Sequence, residues 1–367
     1  MNRFFRTLSA VLAGSLLLCS CSSAKENYAI YGQYPNGKIR AYMTEGMFRY
    51  FLSQQKASYL QVIMYNDKTV TGDSPEVWQR TAADGKTYEQ SFFDETVKDA
   101  TELVAANYLL YSFSSSTDPN KEYTLPEDYL DYVDSLIAKN AAEKYGSVSA
   151  FEDYLLNFGA TLRDYTDLYI MTANVDLLKD ALFSEGGMAQ ITDEMIRDYY
   201  AENYYSVRHI FVNTAYDEKI DGTRAPLSNA EEAKREETAQ EILAFVTAGG
   251  SFDDAAQNFK ESYVTAYPSV NQMDISAKTA NAPELGEALC EMQIDEVRAV
   301  RSAYGIHILK RVATDPDNYN KDESAVNNIT SALKNKLYPE IIARYTPQIV
   351  ANGDIIGKYT MASAQMP

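Results

Sequence analysis

The chain has 367 residues, of which 46% are hydrophobic, 23% charged and 12% aromatic, which predicts two or three globular domains. Its 33 Lys and Arg stand against 52 Asp and Glu, and the resulting net charge of −19 excludes nucleic acid as an expected partner. Because the chain holds only two histidines and three cysteines, we expect no metal site, no cofactor and no disulfide framework.

Residues 1–20 predict a secretory signal peptide. Two arginines precede an apolar stretch from Leu8 to Cys19 that is too short to span a bilayer comfortably. The sequence Leu18-Cys19-Ser20-Cys21 resembles the bacterial lipobox, in which a small residue precedes a cysteine that becomes acylated. We therefore expect a lipid anchor on Cys21 and a tether over residues 21–30. An ordinary signal peptide, with Cys21 as an incidental thiol, is the alternative.

The next part of the chain, residues 31–204, has a mostly helical pattern. Turn residues follow Tyr34, and glycines and prolines separate the apolar-periodic segments. These segments predict helices from about Thr44 onward and at 87–112, 126–144, 149–158, 161–184 and 192–204. We expect this region to form one helical domain.

After residue 205 the hydrophobic period changes to that of a strand. Residues 207–212 alternate, and Ser228 to Glu231 form a capping box that opens a long helix. Further elements follow: helices to Ala248, at 251–260 and at 283–292, then strands at 296–299 and 306–312. Residues 205–313 therefore predict a mixed module. A helix at 324–344 lies in a C-terminal region, 314–350, and residues 351–367 form a tail without a predicted element.

Both histidines of the chain lie in strands of this module. His209 is in the first strand, and His307 follows the turn Tyr304-Gly305 in the last one. Between them, Ala248 to Ala256 joins two helices through a Gly-Gly-Ser-Phe sequence. In these three features, segment 206–312 resembles the parvulin family of peptidyl-prolyl isomerases.

The resemblance implies an α+β fold, with a small antiparallel sheet flanked by helices and inserted into a mostly helical chaperone domain. The order of the regions is similar to that of PrsA-type foldases on the outer face of Gram-positive membranes and of periplasmic SurA chaperones. In those families the N-terminal and C-terminal helices pack together, which implies that residues 314–350 pack on the helical domain.

The resemblance also implies site residues. His209 and His307 match the paired histidines of parvulins, and counting from Phe259 places Ser262 where the family has Cys or Asp. These three are the expected catalytic residues. The expected proline pocket comprises Met273, Leu285 and Tyr304, although residues 269–273 replace the Gly-Gly-Asp-Leu-Gly strand of the family. Two interpretations stay open: the histidine pair is catalytic or structural, and the pocket residues form a cup or ordinary core.

We therefore expect an extracytoplasmic, lipid-anchored foldase with peptidyl-prolyl cis-trans isomerase activity. Its expected partners are unfolded or newly secreted polypeptides and a membrane bound through lipid, while a homodimer stays open. A catalytically degenerate chaperone on a parvulin scaffold is the alternative, since most of the 29 tyrosines lie in the helical region and suit promiscuous peptide contacts. A solute-binding lipoprotein shares the signal peptide, but the long helical first half disfavours it.

Overall fold

The computed structural model describes residues 27–34, 37–115, 118–122, 125–218, 222–267, 273–276, 282–321 and 323–367. The predicted signal peptide and Cys21 lie outside the described residues. The chain divides into two compact units, here named the helical unit (residues 1–190 with 334–367) and the sheet unit (residues 191–333). The domain limits expected at residues 204, 313 and 350 stay predictions.

Most of the helical unit consists of helices that begin at a polar N-cap. The helix predicted from Thr44 is confirmed, and the side chains of Thr44, Thr87 and Thr161 accept hydrogen bonds from the first turns of their helices. The helices are α1 (Glu45–Asn66), α2 (Pro75–Trp78), α3 (Tyr88–Ser112), α4 (Glu127–Tyr145), α5 (Val148–Leu156) and α6 (Leu162–Phe183).

The helical unit also contains a three-stranded antiparallel sheet that the sequence pattern does not predict. Its strands are β1 (Tyr28–Gln33), β2 (Ile39–Thr44) and β12 (Ile349–Ala351), and a short pair, β3 (Ser114–Ser115) and β4 (Asp118–Glu122), follows α3. The order in the sheet is β12-β1-β2, and Ile30 on β1 pairs with Ala351 on β12.

The last residues of the chain belong to the core of the helical unit. After β12, helix α12 (Gly353–Ile356) buries Ile355 and Ile356, and Met361 is fully buried in the same cluster as Trp78. Residues 351–367, for which the sequence predicts no element, therefore pack against helices that are about 300 positions earlier in the chain.

The sheet unit is built around a five-stranded antiparallel sheet of β5 (Tyr204–Asn213), β8 (Val264–Tyr267), β9 (Met273–Ser276), β10 (Val297–Ser302) and β11 (Gly305–Arg311). The path through this sheet is β10-β11-β5-β8, and β9 also pairs with β5. Strands β6 (Tyr216–Glu218) and β7 (Arg224–Pro226) form a separate pair. Its helices are α7 (Asp193–Asn203), α8 (Asn229–Thr247), α9 (Phe252–Asn258) and α10 (Pro283–Glu291), and α11 (Glu323–Ala343) begins in this unit. The predicted α+β class with a small antiparallel sheet is confirmed.

The two faces of this sheet bury different side chains because successive strand residues point to opposite sides. On one face, Ile210 and Ile308 pack with Ile242 of α8 and Phe252 of α9. On the other face, Val207 and Leu309 pack with Leu285 and Leu289 of α10. The second cluster covers only part of its face, and the two histidines lie on the remainder.

Candidate functional site

His209 and His307 form a direct hydrogen-bonded pair on the central strands of the sheet. Strands β5 and β11 are antiparallel, with His209 opposite Leu309 and His307 opposite Phe211. This register places both imidazoles on the same face, two positions apart along the strand direction. His209 Nε2 lies 2.9 Å from His307 Nδ1, so the pairing expected from the resemblance is present in the structure.

Both histidines are buried, at 6% and 7% exposure, and are therefore neutral near pH 7. Burial lowers the pKa of His209 to about 3, and the neighbouring His307 contributes to the same shift. Burial also lowers the pKa of His307 to about 4, although the exposed Glu284 carboxylate acts in the opposite direction. Two neutral imidazoles can donate and accept hydrogen bonds but supply no charge.

Ser302, which the sequence analysis does not identify, extends the pair to a chain of three polar groups. Its Oγ lies 2.8 Å from His307 Nε2 and accepts a hydrogen bond from the backbone N–H of Tyr304 at 3.1 Å. Ser302 ends β10 at the turn into β11, five residues before His307. The only sequence signal for it is a small polar residue at this turn.

The turn after Ser302 requires glycine. Gly305 has φ +149°, and a Cβ at this position would lie 2.2 Å from the carbonyl oxygen of Val212 on β5. A side chain at this position would push β11 away from β5. Gly305 therefore fixes the register that brings His307 to His209.

The hydrogen bonds that join the three groups can run in either direction. If His307 Nε2–H donates to Ser302 Oγ, His307 Nδ1 accepts from His209 Nε2–H and His209 Nδ1 is left as an acceptor. If the Ser302 hydroxyl donates instead, both imidazole tautomers reverse and His209 Nδ1 carries the proton. Among the described residues, no group hydrogen-bonds this buried Nδ1. His209 Nδ1 is therefore the end of this hydrogen-bonded series that has no partner among the described residues.

Two aromatic rings flank the histidine pair. The Tyr267 ring on β8 lies nearly parallel to His209, with centroids 5.0 Å apart, and the Phe211 ring lies 4.7 Å from His307. Tyr267 is 38% exposed, so this row of rings reaches the solvent on the β8 side. The result is an apolar floor with polar nitrogens inside it, which suits a proline ring.

The residues expected to line the pocket occupy three different environments. Leu285 is buried in the cluster with Val207 and Leu309 on the histidine face. The backbone of Met273 on β9 pairs with that of Val207 on β5. Tyr304 is 40% exposed in the turn beside Ser302.

The structure does not bring Ser262 to the histidine pair. Ser262 is exposed in the turn before β8, whose Tyr267 is the residue opposite His209. Ser262 and Tyr263 form the turn, and strand β8 then spans on the order of 10 Å to the residue opposite His209. The count from Phe259 misses this separation because strand β8 intervenes, so the structure places Ser262 away from His209.

Two absences among the described residues concern metal ions and membrane-spanning helices. Within the described parts of the chain, no group of three or more His, Cys, Asp or Glu residues is placed to hold a metal ion. None of the helices described is both long enough and apolar enough to cross a membrane.

Residues 195–315 match the family described as the PPIC-type PPIase domain, so this part of the chain is similar to parvulin-type peptidyl-prolyl isomerase domains. Solved structures of PrsA are similar to larger parts of the chain. The PrsA structure from Bacillus anthracis is 18% identical, covers 72% of this chain and 98% of its own, and has a TM-score of 0.24. The PrsA structure from Bacillus subtilis is 16% identical over 76% of this chain and 93% of its own, also with a TM-score of 0.24.

The foldase protein PrsA from Lactococcus lactis is 15% identical, covers 78% of this chain and 99% of its own, and has a TM-score of 0.27. No curated protein matches the chain. These TM-scores are too low to compare the chains as wholes, so the family assignment rests on residues 195–315.

Proposed function

We propose that the protein is an extracytoplasmic foldase that isomerises X-Pro peptide bonds at the histidine face of the sheet unit. The observation that carries this proposal is the His209–His307 hydrogen bond of 2.9 Å on the face that Tyr267 and Phe211 flank. A PPIC-type domain contains these residues.

The chemistry needs no cofactor. Rotation about an X-Pro bond twists the amide out of conjugation against a barrier of about 18–20 kcal/mol. A site lowers this barrier when it binds the twisted amide more tightly than either planar form. Neutral imidazoles suit this purpose because they can give or take a hydrogen bond as the carbonyl rotates, without the desolvation cost of a buried charge.

We further propose that Cys21 carries a lipid that holds the protein on the outer face of the cell membrane, where it meets newly secreted polypeptides. The lipobox-like sequence supports this location. A diacyl or triacyl anchor gives stable membrane attachment. The net charge of −19 favours basic clients through long-range attraction.

A chaperone without isomerase turnover is the second candidate. Ser262 lies too far from the pair to replace the polar residue of the family, and His209 Nδ1 has no partner among the described residues. A parvulin scaffold that lacks this third group would still present an apolar face to unfolded polypeptides.

The test uses the chain from Ser22 onward and short X-Pro peptides that vary in the residue before proline. Exchange NMR measures the cis-trans rate, and light scattering measures aggregation of an unfolded client in the same preparation. We expect both acceleration of the cis-trans exchange and suppression of aggregation. Suppression without acceleration would establish the second candidate, and neither effect would overturn both proposals.

A further inference from the structure

Residues 358–364 lie in a cleft of the helical unit whose side chains hydrogen-bond their backbone. The Glu89 carboxylate accepts hydrogen bonds from the N–H groups of Met361 and Ala362, at 2.5 and 2.8 Å. Lys56 Nζ donates to the carbonyl oxygens of Ala362 and Ala364, at 3.3 and 2.8 Å. Two side chains of the cleft thus bind four backbone groups of one short segment.

The cleft has a charged and an aromatic wall. Lys56 is 1% exposed and pairs with Asp73 at 2.8 Å. Asp73 also accepts a hydrogen bond from Trp78 Nε1 at 2.7 Å, and the lysine ammonium lies 5.6 Å from the centre of the Trp78 ring. We name the group formed by Glu45, Lys56, Asp73, Trp78 and Glu89 the main-chain cleft.

Side chains of segment 358–364 add to its binding, since Tyr359, Ala362 and Ala364 pack against the same core cluster as Met361. Met361 is fully buried, and Tyr359 donates a hydrogen bond from its hydroxyl to Glu45 at 2.6 Å. Lys358 Nζ makes a longer contact to the same carboxylate at 3.2 Å. The segment also closes on itself, since the Ala364 N–H donates to the Thr360 carbonyl. Its shape therefore depends partly on its own turn.

A cleft of this kind is tolerant of sequence. Backbone N–H and carbonyl groups are common to every polypeptide apart from the missing N–H of proline. The fully buried side chain of the segment is a methionine, the flexible residue that fits irregular apolar sites and recurs on promiscuous binding surfaces. An occupant gives Lys56 Nζ two carbonyl acceptors in addition to the Asp73 carboxylate.

We propose that the main-chain cleft is a binding site for unfolded polypeptide segments, and that residues 358–364 occupy it until a client displaces them. The partner is an extended or turn-forming polypeptide that offers one unbranched apolar side chain among small residues. This inference deepens the proposed chaperone function, on which it rests, but it does not depend on isomerase activity.

The test weakens the resident segment while leaving the cleft unchanged. The variant Met361→Ala removes the buried anchor from the segment and alters no residue of the main-chain cleft. The probe is a synthetic peptide with the sequence of residues 358–367, and the readout is the fluorescence of Trp78, the only tryptophan of the chain. Far-ultraviolet circular dichroism confirms that the variant is folded.

We expect the peptide to bind saturably to Met361→Ala and to shift the Trp78 emission. The apparent dissociation constant for the unaltered chain should be at least about tenfold higher, because there the resident segment competes intramolecularly. A peptide with Ala in place of Met361 should bind at least about tenfold more weakly. A peptide that keeps this Met and shuffles the other residues should bind within about tenfold, because the hydrogen bonds of Glu89 and Lys56 go to backbone groups.

Three results would overturn the proposal: unchanged Trp78 emission in a folded variant, no peptide binding at millimolar concentration, or binding that shuffling abolishes. If Met361→Ala does not fold, Tyr359→Phe replaces it, because that change removes only the hydroxyl contact to Glu45. An inactive isomerase that still binds the peptide would refute the proposed catalysis and leave the cleft intact as a client site.

Discussion

The two units bury polar groups in opposite ways. In the helical unit, Lys56 is 1% exposed and pairs with the Asp73 carboxylate at 2.8 Å. In the sheet unit, His209 and His307 are almost as buried, but the nearest titratable group to each is another neutral ring, and burial lowers both pKa values. A buried cation that has a counter-ion can stay charged, whereas a buried base without one gives up its proton.

This difference suits the two units to the two proposed roles, polypeptide binding and isomerisation. A fixed ion pair holds a backbone segment in place, as Lys56 does with the carbonyls of Ala362 and Ala364. A neutral imidazole pair can reverse its hydrogen-bond direction at little electrostatic cost, as the Ser302–His307–His209 chain allows. The comparison makes definite predictions for each unit.

The largest expected effect is the loss of sheet-unit stability in acid. An unfolded histidine has a pKa near 6.5, so below that pH the unfolded chain binds protons that the folded pair does not. The free energy of unfolding of the sheet unit is therefore highest above pH 6.5 and decreases as the pH falls toward 4. We expect the free energy of unfolding to decrease by about 2 kcal/mol per histidine from pH 8 to pH 5. Denaturant unfolding followed by the histidine ring NMR signals measures it.

The control for this pH dependence is the double variant His209→Gln, His307→Gln. Since the chain has no other histidine, unfolding of the variant, followed by amide signals of β5 and β11, should show most of the slope removed. If the free energy of unfolding of the unaltered chain does not change from pH 8 to pH 5, the pair is not buried in its neutral form.

The next effect concerns the ion pair of the helical unit. Asp73→Asn leaves the Lys56 ammonium without its counter-ion, and because Asp73 is 29% exposed we expect a destabilisation of about 2–4 kcal/mol rather than the full buried value. Trp78 fluorescence during denaturant unfolding reports it. The matched control Asp94→Asn breaks an exposed pair with Lys86 and should change nothing measurable. If Asp73→Asn and Asp94→Asn lower the free energy of unfolding equally, the buried Lys56 pair contributes no more to stability than an exposed pair.

The smallest effect is expected at Ser302. Ser302→Ala removes one hydrogen bond from His307 Nε2, which costs about 1 kcal/mol of stability. The nitrogen-15 signals of the two imidazoles should show altered tautomer populations, and kcat/KM should fall about tenfold if this bond orients the pair. Ser302→Thr keeps the hydroxyl and should restore both readouts. Unchanged nitrogen-15 signals in Ser302→Ala would show that Ser302 does not set the tautomers of the histidine pair.

Much of the sheet unit could be predicted because its signals are local. The alternation around His209, the N-cap of α8 and the turn before His307 each lie within a few residues, and the structure contains all three elements. The helical unit is predictable helix by helix for the same reason. Its sheet is only partly local, since β1 and β2 pair as a hairpin around the turn after Tyr34, whereas β1 and β12 pair across more than 300 residues and no local pattern marks such a contact.

The site was harder to predict than the fold. The two histidines stand out because the chain has no others. Ser302 does not stand out, because the chain has many serines. Only the β10–β11 register, which the sequence does not show, places this one beside His307. Ser262 has the expected spacing in sequence, but distance along the chain carries no information about the strand that separates it from His209.

The most direct test of the role of the pair is the cis-trans exchange rate of an X-Pro peptide with the unaltered chain and with a folded His209→Ala variant. His209→Gln serves as a second variant if the first does not fold. We predict that the unaltered chain accelerates exchange and that the variant loses most of this acceleration while it still suppresses client aggregation. Full isomerase activity in a folded His209 variant would contradict a functional role for the histidine pair.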